Sequence, residues 1–154
     1  MSSRNARLLY GDSRGSSNVV TVQALAGEDL EAGDLVTNTA MTGDFVVNKP
    51  SGASSLFGVV HEDAKDGELA TVEVPVFAVY EVTLADASNF DNGGPTLGDI
   101  LNVHDQAFGR TSTEDASAVL IDSNPAAGEK ARVILVGLGI SSAWGSILGQ
   151  VPQI

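Results

Sequence analysis

Two histidines stand beside carboxylates: His61 precedes Glu62 and Asp63, and His104 precedes Asp105. A carboxylate that holds one ring nitrogen leaves the other to take a proton, which is general-base chemistry. Each histidine falls at the end of an expected strand, where a solvated ring is the ordinary outcome, so neither is assigned to catalysis. A second set is Asp86, Asn89, Asp91 and Asn92, oxygen-bearing side chains in a Gly-rich loop. Clustered oxygens suit calcium. Their spacing is not that of an EF-hand, and Asn and Asp in loops more often close their own Asx turns. Glu28, Asp29, Glu31 and Asp34 form a third cluster, which reads as a solvated corner. With 20 acids in the chain, a carboxylate pair for glycoside hydrolysis is always at hand. One Trp and two Tyr, however, offer few faces for stacking a sugar. There is no Cys, which removes disulfides, thiolate metal sites and thiol nucleophiles together. No G-x-x-x-x-G-K-[ST] loop and no H-E-x-x-H occurs. Gly137-Leu138-Gly139 lacks the third glycine of a dinucleotide fingerprint, since position 142 is Ser. The expectation is a protein that is not an enzyme and carries no cofactor and no metal.

The function must then lie in surfaces and in the elements that present them. At 154 residues, 43% of them apolar, the chain suits one domain with a real core. Most of its 17 glycines sit beside Asp, Glu, Ser or Asn, which is turn chemistry. The net charge of −12 argues against direct contact with nucleic acid, because binding phosphates needs a basic surface. It argues equally against an anionic membrane. It favours solubility and repulsion between free copies, and a salty habitat is a further possible cause. No run approaches the roughly 20 apolar residues of a membrane helix. Residues 1–17 hold no apolar stretch of signal-peptide length, so the chain is expected to be made in a cytoplasm and kept there or released by lysis.

Residues 68–84 organise the rest. Ala70, Val72, Val74, Val76, Ala78, Tyr80, Val82 and Leu84 alternate with a mixed set. Period two predicts a strand with one face buried and the other partly wet. Pro75 cannot donate to a ladder and predicts an edge, a bulge or a bend; two linked shorter strands also fit. Further strands are expected at 19–25, 35–39, 45–47, 56–61, 100–103, 118–122 and 131–138. Val133, Ile134, Leu135 and Val136 are consecutive, so the last is expected to be buried on both faces. One corner recurs, a Gly followed by an acid, at Gly33-Asp34, Gly67-Glu68, Gly98-Asp99 and Gly128-Glu129. Gly accepts the positive φ of a tight turn, and a strand follows. Single helical turns fit at 27–31 and 112–119, and 86–95 reads as a loop. The fold class is all-β, a small β-barrel or β-sandwich.

The ends differ from this body. Residues 1–18 read as an extended N-terminal arm, 19–138 as the β domain and 139–154 as a C-terminal tail. The arm holds Arg4, Arg7 and Arg14 against one acid, with an apolar knot of Leu8, Leu9 and Tyr10. Such asymmetry marks a segment that reaches for a partner. After Arg132 no charged side chain remains. In the tail Trp144, Ile147, Leu148 and Val151 fall at the spacing of one helical face, although Gly145 and Gly149 weaken a helix. An uncharged tail with the only Trp is expected to pack on its own barrel or on another chain.

The order of features resembles the small capsid cement, or decoration, proteins of tailed phages. The stretch VVTVQALAGEDLEAGDLVT leads, followed by LFGVVHEDAKDGELATVEVPVFAVYEV, then PTLGDILNVHDQAFGRTS and a closing AAGEKARVILVGL. Gly58-Val59-Val60, Ala64 and Gly67 are similar to that family's central pattern, as are Gly98, Asp99, Asp105, Gly109 and Thr111 to its next segment. The segment 100–105 lacks the aromatic often found before the acid, and the likeness stops short of both ends. The resemblance implies a β protein on the outer surface of an assembled virion capsid, bound to the major capsid protein and clamping neighbouring capsomers as a homotrimer. The two ends then supply the candidates for capsid or trimer contacts: Arg4, Arg7, Leu8, Leu9, Tyr10 and Arg14 in the arm, and Trp144, Ile147, Leu148 and Val151 in the tail, with the terminus that touches the shell left open. The alternatives are another virion module, such as a head-fibre base, and a carbohydrate-binding or enzymatic β-sandwich.

Overall fold

The computed structural model describes residues 5–10, 19–39, 45–110 and 116–136. Among the described residues no helix is long and apolar enough to cross a membrane. The chain is all-β, and among the described residues the one helical element is a three-residue 3-10 turn at Ala87–Asn89. The strands are, in order, β1 (Ala6–Tyr10), β2 (Val19–Ala26), β3 (Leu35–Thr39), β4 (Val46–Asn48), β5 (Ala53–Ser54) and β6 (Gly58–Val60). Then come β7 (Leu69–Thr83), β8 (Ile100–His104), β9 (Ala107–Gly109), β10 (Ala116–Leu120) and β11 (Lys130–Val136).

The alternating stretch is one unbroken strand, β7, of 15 residues, and every other strand is arranged about it. All eleven belong to one continuous sheet, in the order β2-β4-β3-β6-β7-β11-β10-β8-β5, with β1 on β7 and β9 on β8. The sheet as a whole is not a closed barrel. Its first half nevertheless returns on itself, because β2 pairs with the first half of β7 from Leu25↔Leu69 to Val19↔Pro75. Five strands thereby form a ring: β2, β4, β3, β6 and β7. In the second half β1 and β11 flank β7, and β9 comes back to its end through the bridge Leu84↔Phe108.

β7 carries a bulge. Across it β11 runs Leu135↔Ala78 and then Val136↔Val76, so Phe77 is an extra residue with no partner in that register. Phe77 takes φ 57° and is 67% exposed. An inserted residue turns the strand over, so residues of one parity change face across it. Ala70, Val72 and Val74 therefore point into the ring with Ala24, Ala26, Val36, Val47 and Val60. Ala78, Tyr80, Val82 and Leu84 point into a second, larger core with Leu101, Phe108, Leu120 and Val133. The expectation that eight alternate residues share one face is corrected here: they share a parity, but three face the ring core, four face the larger core, and Val76 stands exposed beside the bulge. Pro75 is buried opposite Val19, and the bulge lies two residues beyond it.

The four Gly-acid corners all form. Gly33, Gly67, Gly98 and Gly128 have φ of 91°, 86°, 89° and 82°. In each, the acid's N–H donates to the carbonyl three residues back, as from Asp34 to Glu31 at 3.0 Å. Three of the acids also reach back with the side chain. Asp34, Glu68 and Asp99 accept the N–H of Glu31, Lys65 and Thr96 at 2.8, 2.7 and 2.8 Å. The first two corners brace each other. Leu30 and Ala64 exchange backbone hydrogen bonds, while Asp63 accepts from Ala32 N–H and Asp29 from Asp66 N–H.

Other expectations shift. Residues 116–120 are strand rather than a helical turn, and 27–31 hold no helix. β11 alternates, with Val133 and Leu135 buried and Ile134 and Val136 half-buried, so it is not covered on both faces. β5 and β9 lie outside the expected strands. The start of the chain is not free either: β1 pairs with residues 79–82 of β7, and Ala6 is fully buried.

Candidate functional site

The histidine set resolves into one bonded trio and one surface pair. Val59↔Glu73 are cross-strand partners and share the face of the larger core. The bulge brings Tyr80, seven residues on, to that same face. Glu73, 7% exposed, accepts the Tyr80 hydroxyl at 2.8 Å with Oε1. Its Oε2 lies 2.7 Å from His61 Nδ1, and the His61 side chain is half in solvent. Glu73 thus joins a fully buried phenol to a surface imidazole. His104 Nδ1 lies 3.6 Å from Asp105 Oδ2, while Asp105 Oδ1 accepts the Gly52 N–H at 2.8 Å.

Two of the four side chains of the calcium candidate are engaged within the chain. Asp91 pairs with Arg110 Nε at 3.2 Å, and Asn92 turns its amide donors toward Asp99 at 3.0 and 3.1 Å. Arg110 Nη1 also meets Asp99, at 3.2 Å. The first acidic cluster is structural. Glu28 accepts Lys49 N–H at 2.8 Å, and Asp29 and Asp34 serve the corners described above. Among the described residues no group of three or more His, Asp or Glu is placed to hold a metal ion.

Of the expected contact residues, Arg4, Arg14, Trp144, Ile147, Leu148 and Val151 lie outside the described residues. Arg7 is on the surface and pairs with Glu81 at 3.2 Å within the chain. Leu8 packs on the larger core, Leu9 is half-buried, and Tyr10 pairs through its backbone with Val79. The knot therefore fastens β1 to β7.

Sequence reasoning missed an apolar groove at one mouth of the ring. It is lined by Val20 and Val22 of β2, Val74 and Val76 of β7, Phe45 and Phe57, and encloses about 500 Å³. Gln23 and Asn38 also line it, and among the described residues none of its lining is charged. The Phe45 and Phe57 rings meet at 4.9 Å between centroids, tilted by 52°. Val20, Phe45 and Val76 are 52%, 44% and 38% exposed, so large apolar groups stand in water at the mouth. The signal available beforehand was the run Val20, Val22, Ala24, Ala26, whose alternation continues past the part of β2 that is covered. A polar recess of about 430 Å³ lies elsewhere, between Asn5, Asp86, Asn89 and His104. Gln106 closes one side of it, bonded to Asn5 and to both backbone groups of Leu35.

No known protein family matches the chain, and no curated protein does. Solved structures do. The fold is similar to that of the head fiber gp8.5 N base of bacteriophage phi29. The TM-score is 0.56 at 14% identity, and the likeness covers 76% of this chain and 93% of the gp8.5 N base. At that identity the likeness is one of fold.

Proposed function

We propose that this chain is a structural module of a phage virion, a β base seated on the outside of the head. The observation that carries the reading is the fold likeness to the gp8.5 N base, which extends over 93% of that chain. The same likeness favours a fibre base over a cement clamp as the finer role. The partner is the major capsid protein, and the assembly is a homotrimer at symmetric positions on the shell. The role asks for rigidity and surface rather than a reaction. Rigidity comes from a strand shared by two cores, and solubility of the free form from a net charge of −12. Arg7 is exposed, and its surface pair with Glu81 is weak enough for an acid of the shell to take its place.

Immunogold labelling of purified virions with antiserum against the protein tests the reading. Label on the heads is the expected result, and label on tails alone, or on no particle, overturns it. Virions from a deletion strain then separate the two roles. Heads that keep their DNA on heating but lack a projection indicate a base. Heads that release DNA at lower temperature indicate a clamp.

A further inference from the structure

We propose that the groove at the ring mouth is the docking site of the chain's own residues 137–154, seated by the face of Trp144, Ile147, Leu148 and Val151. The inference is independent of any role on a phage head. Its first support is position. Val136 pairs with Val76, and Val76 lines the groove, so residue 137 begins at the rim.

The second support is composition. Three segments outside the described residues adjoin this rim. Residues 11–18 lead to Val19 and contain Asp12, Arg14 and no large apolar side chain. Residues 40–44 precede Phe45 and offer only Met41 beside Asp44. Residues 137–154 have no charged side chain and hold Trp144, Ile147, Leu148 and Val151 at positions i, i+3, i+4 and i+7. An uncharged, apolar segment matches an uncharged, apolar groove, and docking removes Val20, Phe45 and Val76 from water.

The choice of the chain's own segment over another copy's follows from the tether. A segment anchored at the rim presents itself at an effective concentration on the order of millimolar. In the free protein, before any assembly on a shell, another copy must supply its segment by collision, against the repulsion of two strongly acidic molecules.

Trp144 is the only tryptophan, so its emission reports on this segment alone. In the full-length protein it is expected to emit as a buried indole and to resist acrylamide. In a Val20→Glu, Val76→Glu double variant it is expected to shift to the emission of a water-exposed indole, with far-UV dichroism unchanged. The chain has no Cys, so a Val20→Cys, Ile147→Cys pair treated with a short bis-maleimide gives a second measurement that leaves the groove apolar. A cross-link within one chain, at monomer mass on a denaturing gel, is expected. Covalent dimers or trimers place another copy's segment in the groove and overturn the proposal. An indole already exposed in the unaltered protein overturns it as well.

Discussion

At the scale of residues, Glu73 is a buried carboxylate that anchors the Tyr80 hydroxyl at the edge of the larger core. Leaving a buried donor without its acceptor costs more than the bond contributes, about 1–3 kcal/mol against about 1. Glu73→Leu is therefore expected to lose about 2–3 kcal/mol, and Tyr80→Phe about 1 kcal/mol, in urea unfolding. The double variant should lose less than the sum, with a coupling of about 0.5 kcal/mol or more. Additive losses would mean that the two groups act separately. Asp122 supplies a pH-dependent term. The Arg132 guanidinium, and then the Arg132 N–H, hold its carboxyl below the ordinary value of 3.8. A lowered carboxyl stabilises the fold above its ordinary pKa, and that stabilisation is lost as pH falls through the lowered value. Asp122→Asn should thus cost about 1 kcal/mol or less at neutral pH, and the difference should shrink and vanish as pH falls through the lowered carboxyl value. Of this scale little was legible. His61 was visible as a residue, but its partner was not, because Glu73 meets it only through the pairing of β6 with β7.

At the scale of elements, legibility followed locality. The four Gly-acid corners were readable because the glycine and the acid that closes the turn are adjacent in sequence. β7 was readable by its period. The bulge was readable only in part: Pro75 announced a bulge as one of three outcomes, but nothing in VPVFAVY marks Phe77 as the inserted residue, and Phe is among the residues least expected at φ 57°. Reading the parity straight through it put two cores on one face. β1 passed for an arm because its pairing crosses more than seventy residues, as in Arg7↔Glu81. β5 and β9, at two and three residues, are too short to show a period. The groove depends on where the ring stops being covered, which no local pattern records. The ring itself yields a test. A Cβ on Gly58 would collide with the Glu73 carbonyl oxygen and come within 2.6 Å of Val72 Cγ1. Gly58→Ala is expected to push β6 off β7 and cost about 3 kcal/mol or more, since both neighbours belong to the wall. Gly67→Ala meets nothing within 4 Å and pays only for its φ of 86°, about 1 kcal/mol. Thermal melts of the two variants should rank them in that order.

At the scale of the whole molecule, charge and connectivity dominate. Twenty acids face eight bases, so repulsion outweighs the few surface pairs, each worth little. Raising salt from about 0.01 to about 0.15 M shortens the screening length from about 30 to about 8 Å. The melting temperature should therefore rise over that range. A fall would mean that the ion pairs of Arg7, Arg110 and Arg132 outweigh the excess of acids.

The shared strand has a kinetic consequence. β7 supplies a wall to each core, so neither half can melt and leave the other whole. Amide protons at Val72 and Val82 should then report one common opening free energy, that of complete unfolding. The same arrangement makes folding slow, because both flanks of β7 close over long loops before any core is sealed. The unfolding barrier, more than the equilibrium stability, should then set how long a folded copy lasts.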